Sequence, residues 1–209
     1  MSVIEKIAFY QNRRDEVPNQ ELARELALSK DSRGIQEICD NLINKNPDIQ
    51  SDCLKVLYEI GYLYPELVAS YAKDFLGLLK SKNNRLVWGA MIALSTIVEI
   101  NPQEIGEAVE DIKKCMENGS VITVDNGVKI LADLAAQSTP QSNAIFAYLI
   151  NHLSSCRPKE IPQHAEKTLV AVNAENKNEF IQVLQSRMDL LTPAQLTRIN
   201  KVIKVAEKR

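Results

Sequence analysis

The sequence predicts an all-α fold in which one helical hairpin repeats along the chain. Three observations carry this expectation. Apolar residues recur at spacings of three and four almost throughout, with no convincing alternation of period two. Helix-interrupting X-Pro pairs punctuate the chain at regular intervals. Apolar columns also recur with a fixed long step. Leu57, Leu94, Leu131 and Leu169 are separated by 37, 37 and 38 residues, and Ile60, Ile97, Leu134 and Val172 keep the same step. A second column, Ile38, Phe75, Ile112 and Ile150, is also separated by 37, 37 and 38, and Leu42, Leu79 and Met116 hold its register. Heptad drift does not produce such columns, because 37 is not a multiple of 7. A hairpin of this length can bury its apolar faces only against neighbouring hairpins. The columns therefore imply a stacked α-solenoid of antiparallel helix pairs.

The elements follow in order. A first helix is expected near 2–14, then hairpins near 19–46, 48–81, 84–118, 121–156 and 162–190, then a closing helix near 193–208. The repeat units lie near 2–46, 48–81, 84–118, 121–156 and 162–190, all within a single domain spanning 1–209. Proline suits the first turn of a helix and disfavours helix in the residue before it, so Pro47, Pro65, Pro102, Pro140 and Pro193 each open the next helix. Pro65 to Pro102 is 37 residues and Pro102 to Pro140 is 38. The closing helix places Leu196, Ile199, Val202, Ile203 and Ala206 on one face and Arg198, Lys201, Lys204 and Lys208 on the other. Thr192-Pro193 starts it, with Gln195 at the capping-box position. Such a one-sided helix is what a terminal repeat needs in order to meet water.

Composition narrows the function classes. The chain has 209 residues, 45% hydrophobic and 25% charged, which is the balance of a folded globular protein. A net charge of -2 gives no overall field toward nucleic acid or anionic lipid. The first fourteen residues lack the apolar core of a signal peptide. The longest apolar region, 86–100, is cut by Ser95, Thr96 and Glu99 and is too short to span a bilayer. The expected location is the cytoplasm.

The first helices of the units resemble HEAT repeats, within the armadillo-like superfamily. The stretch Val87-Trp88-Gly89-Ala90-Met91-Ile92-Ala93-Leu94-Ser95-Thr96-Ile97 follows that family's pattern closely. The stretches 124–134 and 53–61 follow it more loosely. Cys53, Ala90, Gly127 and Ala165 form a column of small residues where two helices would approach. The sequence departs from the pattern where the family has arginine, carrying Trp88 in one unit and Asp125 in the next. The resemblance covers roughly 50–175. It implies a right-handed superhelix whose second helices line a concave surface, and a non-catalytic scaffold or adaptor for a protein or peptide. Glu37, Asp40, Lys73, Asp74, Glu110, Asp111, Lys114, Tyr148 and His152 would then face that groove.

No residue pattern points to catalysis or to a cofactor. Neither His152 nor His164 belongs to an H-E-x-x-H or H-x-H arrangement, no phosphate-binding glycine loop occurs, and each histidine reads as a surface or boundary residue. To act as a pair the two would have to converge from adjacent units. Cys39, Cys53, Cys115 and Cys156 include no C-x-x-C, so they read as small buried hydrophobes rather than metal ligands. No metal, cofactor or catalytic residue is expected.

Candidate partner contacts are Trp88, Glu107, Glu110, Asp111, Lys114, Tyr148 and His152. Trp88, the single tryptophan, could anchor a partner or pack at a repeat junction. Segment 85–122 holds six acids against three bases, so Glu107, Glu110 and Asp111 could meet a basic segment or form a solvated face. The alternative function is nucleic-acid binding, by resemblance to HEAT-like DNA alkylation-repair glycosylases. It requires arginine and lysine side chains to converge on a groove around Trp88, and successive central repeats lack them. A small-molecule lyase or chaperone, as among HEAT-like relatives of bilin lyases, is a third class, and its signal would be an apolar cavity.

Overall fold

The computed structural model describes residues 2–137 and 139–209, and every regular element among them is helical. In chain order these are α1 (Val17–Ser29), α2 (Ser32–Asp40), α3 (Pro47–Leu63), α4 (Ala72–Leu78), α5 (Asn84–Ile97), α6 (Pro102–Gly106), α7 (Val109–Glu117), α8 (Val121–Ala135), α9 (Ser142–Ser155), α10 (Ile161–Thr168), α11 (Lys177–Gln185) and α12 (Pro193–Ala206), with short 3-10 turns between them. No described helix is long and apolar enough to cross a membrane. The chain divides into two compact units, Met1–Gly127 and Val128–Arg209.

In the first unit, local chemistry sets the helix starts. The Asp31 carboxylate accepts the Gly34 N–H at 3.0 Å and caps α2, and Asn46 accepts the Asp48 N–H at 2.9 Å ahead of Pro47. Asn83 caps α5 by accepting the Arg85 N–H at 2.9 Å. Each cap satisfies a backbone donor that the helix itself leaves open. The long helices α3 and α5 are buried along much of their length, with Leu57, Ile60, Leu94 and Ile97 all fully enclosed. Ile38, Phe75 and Ile112 are equally enclosed on the facing helices. Burying a side chain of this size contributes roughly 1.5–3 kcal/mol, so the periodic columns are the main stabilising feature.

Hydrogen bonds at a separation of about one hairpin tie successive repeats together. The Tyr71 hydroxyl donates to Gln36 Oε1 at 3.1 Å, 35 residues away. The Cys115 thiol donates to the Leu79 carbonyl at 3.5 Å, 36 residues away. The Ser95 hydroxyl donates to Asn126 Oδ1 at 3.0 Å, 31 residues away. Between the long helix and its return helix lies a short proline-opened piece: two 3-10 turns, Pro65–Leu67 and Ala69–Tyr71, in one repeat and α6 in the next. Pro65 and Pro102 thus open these short pieces, and the return helices α4 and α7 begin seven residues further on.

The expected helix near 2–14 is replaced by a 3-10 turn, Val3–Lys6, followed by irregular chain. Side chains from later helices take several of its backbone donors. Glu37 accepts the Val3 and Ile4 N–H groups at 3.2 and 3.3 Å, Asn19 accepts Ala8 N–H at 2.9 Å and Asp52 accepts Phe9 N–H at 2.8 Å. A segment supplied with acceptors from outside has no need of a helical ladder.

The second unit follows the same rules. Ile145, Leu149 and Leu153 of α9 are buried, as are Phe180 and Leu184 of α11, whereas Leu169 of the periodic column is only half-buried in a 3-10 turn. Arg187 donates to the Leu153 and Cys156 carbonyls, both at 2.8 Å, and so caps the C-terminus of α9. At α12 the capping box forms as the sequence predicts, between Thr192 and Gln195. Ile199, Val202, Ile203 and Ala206 turn inward, and Lys201, Lys204 and Lys208 face water.

Candidate functional site

The first unit contains a cleft of about 530 Å³ whose lining includes Arg13, Arg14, Asp15, Asp52, Lys55, Tyr58, Arg85, Trp88 and Gly89. Helices α3 and α5 supply its aromatic wall. Tyr58 and Trp88 lie 6.4 Å apart between ring centroids, tilted at 56°, and Tyr62 meets Tyr58 edge-on at 6.1 Å. Gly89 allows α3 and α5 to come together here, because a Cβ at that position would lie 2.6 Å from Leu54 Cδ2.

A polar network adjoins this wall. Asn19, 1% exposed, accepts the Ala8 N–H at 2.9 Å and donates to Asp52 Oδ1 at 2.8 Å. Lys55 pairs with Glu16 at 2.8 Å and with Glu59 at 2.7 Å, and its ammonium sits 4.9 Å from the Tyr58 ring centroid. Burial opposes the Lys55 charge, but the bonds to Glu16 and Glu59 outweigh it and hold the ammonium above its ordinary pKa. Burial also pushes the Tyr58 phenol up to about 12, so it stays protonated at neutral pH. The cleft is lined by four cationic residues, Arg13, Arg14, Lys55 and Arg85, and by four carboxylates, Asp15, Glu16, Asp48 and Asp52. Trp88 shares this lining with the four cations, and the carboxylates equal them in number.

Protein-family models give no match to the sequence, and curated proteins give none. Solved structures do match. An engineered protein aligns over 100% of this chain and 98% of its own at 17% identity, with a TM-score of 0.69. A designed armadillo repeat protein in complex with the peptide (KR)4 aligns over 99% of this chain and 97% of its own at 13% identity, TM-score 0.67. A computationally designed armadillo repeat protein for modular peptide recognition aligns over 97% and 98% at 13% identity, TM-score 0.67. The fold is that of the armadillo-type helical repeats.

The armadillo-type arrangement distributes the sequence-predicted contacts over several surfaces. Trp88 is half-buried in the cleft. Glu107 lies at the end of α6, and Glu110, Asp111 and Lys114 lie on α7. There Glu110 pairs with Lys113 at 2.8 Å, and Asp111 pairs with Lys80 at 3.5 Å and Lys114 at 3.8 Å. The acidic stripe is therefore laced with lysines, one of them from the preceding repeat. Tyr148 and His152 sit one turn apart on α9 in the second unit, both half-buried.

The two histidines correct the sequence expectation that each is a separate surface or boundary residue. His164 is fully buried, and its Nδ1 lies 2.9 Å from Nε2 of His152. Cys156 completes a triad whose ligand atoms all lie within 4.8 Å of one another. Burial pushes the Cys156 thiol up to about 11, with the Arg187 guanidinium acting in the opposite sense. The spacing His152-x-x-x-Cys156 was the available signal. It matches neither C-x-x-C nor H-x-H, and the return of His164 depends on the turn at Pro158–Glu160. Cys39 and Cys53 are buried as expected, and burial raises both thiols to about 12.

Proposed function

We propose that this protein is a non-catalytic scaffold that binds a protein or peptide segment, with the Trp88 cleft as the principal anchor. The carrying observation is the Tyr58–Trp88 wall, set in a rim where cations and carboxylates balance. Such a cleft suits an extended segment that inserts one apolar or aromatic side chain and carries charges of both signs on either side. Aromatic anchors in partly desolvated pockets supply most of the binding energy at protein interfaces. Designed proteins of similar fold that are described as peptide-bound or built for peptide recognition support this class of partner. A basic stretch of the partner would reach Glu107 and Glu110, both exposed on the α6–α7 surface. Tyr148 and His152 would serve a contact of their own on α9.

Trp88 is the single tryptophan, so its fluorescence reports directly on the cleft. The test is a titration with synthetic peptides carrying a central Leu or Phe flanked by mixed, all-basic or all-acidic residues. Mixed or basic flanks are expected to shift the emission, and Trp88→Ala should weaken binding, measured by calorimetry, at least tenfold. Charge reversal at Glu107, Glu110 and Asp111 should weaken the basic set selectively. If no peptide binds, or if Trp88→Ala and the charge reversal leave every affinity unchanged, the reading fails.

A further inference from the structure

We propose that His152, Cys156 and His164 form a binding site for a thiophilic divalent metal ion of the zinc class. Two imidazoles and one thiolate are the donor set that such an ion prefers over the oxygen ligands of calcium or magnesium. The geometry is close to what the ion requires. Zn–N bonds of about 2.0–2.1 Å in a tetrahedral site place two nitrogens about 3.3 Å apart. The His152 Nε2 to His164 Nδ1 distance is 2.9 Å, so a small separation of the rings admits the ion. The ring centroids are 4.9 Å apart, and the Cys156 Sγ lies within 4.8 Å of a ring nitrogen of each histidine.

The surrounding fold positions these donors. His152 lies in the last turn of α9, and the Cys156 N–H returns to its carbonyl at 2.8 Å, which places the two side chains on one side of the helix end. A 3-10 turn, Pro158–Glu160, leads into α10, whose first turn carries Pro162, so the link that brings His164 back is short and stiff. Arg187 grips the Cys156 carbonyl at 2.8 Å and fixes the backbone that carries the thiol.

Binding balances simply. The Cys156 S–H bond breaks, its proton passes to solvent, and the sulfur lone pair forms the metal–sulfur bond. The hydrogen bond between the rings is exchanged for two metal–nitrogen bonds, and the ring that donated it shifts its proton to its other nitrogen. Half-buried His152 leaves the site open on one side, where a water molecule takes the fourth position.

The experiment uses the full chain, kept reduced and stripped of metal with a chelator. Cobalt(II) is titrated as a spectroscopic probe. The expected result is one equivalent bound, a sulfur-to-cobalt charge-transfer band in the near ultraviolet and intense visible bands of tetrahedral cobalt, all bleached by one equivalent of zinc. Cys156→Ser should abolish the charge-transfer band, whereas Cys115→Ser should leave it unchanged. His152→Gln, at a half-exposed position that tolerates substitution, should weaken cobalt binding by at least about 100-fold. His164→Asn should do the same where circular dichroism shows it folded, and where it does not, His152→Gln alone decides. Absence of the band at excess cobalt, its survival in Cys156→Ser, or its indifference to His152→Gln would each overturn the site.

Discussion

The carboxamide of Asn19 is 2.8 Å from the carboxylate of Asp52, 33 residues away, and the two together hold the first residues of the chain. Asn19 takes the Ala8 N–H and Asp52 takes the Phe9 N–H, so one side-chain pair satisfies two of the donors that a terminal helix would have bonded in its own ladder. The same pair lines the Trp88 cleft. Asn19→Ala leaves a buried backbone donor and a carboxylate oxygen unpartnered and should lower stability by about 2 kcal/mol. Urea unfolding followed by Trp88 emission measures it, and an unchanged midpoint would show that the network contributes nothing.

Gly61 packs against Thr96 where α3 meets α5. A Cβ at position 61 would lie 2.2 Å from Thr96 Oγ1 and 3.0 Å from its Cβ, atoms too close to the backbone to move aside. Gly61→Ala should therefore destabilise the first unit by about 1–3 kcal/mol. Adding Thr96→Ala removes the nearest atom and should recover part of the loss. Additive losses in the double mutant would deny the contact.

Acid should act on the second unit through Glu166. The bond from Arg198, at 2.6–2.8 Å, is the largest cause that holds its carboxyl below the ordinary 4.5. A carboxylate with a depressed folded pKa stabilises the fold above the unfolded value, and this is lost as pH falls through the lower folded value. The difference in thermal midpoint between the natural chain and Glu166→Gln should be constant above pH 4.5 and shrink to nothing in stronger acid. The effect is small, because the pair is nearly half exposed. A difference that grows on acidification would reverse the assignment.

Duplex DNA should bind weakly. The four cationic residues around Trp88 are offset by four carboxylates, so few counterions would be released on association. Titration at low salt should give a shallow dependence of affinity on ionic strength. Tight binding with a slope of several in a log–log plot would favour the nucleic-acid alternative.

The repeat was legible because its signal is local and redundant. Leu57, Leu94 and Leu131 announce their burial by type and spacing, and all three are fully buried. The cap at Thr192 acts within three residues and reads equally well. The path of residues 2–14 was not legible, since Glu37, Asn19 and Asp52 reach it from other elements and their side chains carry no mark of that role. The cleft escaped for a similar reason: Trp88 stood out by its rarity, but Tyr58, Lys55 and Arg85 joined it only through the packing of α3 against α5.

By itself the sequence determined an all-helical chain of repeating hairpins, because a 3.6-residue helical period and a 37-residue superperiod specify which faces must leave water. Tertiary structure alone decided which polar side chains meet. His152 and His164 come within 2.9 Å because a five-residue turn reverses the chain between α9 and α10, and the direction of that turn depends on how Arg187 and the buried faces pack around it. Burial follows from residue type along a helix, whereas convergence follows from the angles between helices, which no single stretch of sequence encodes.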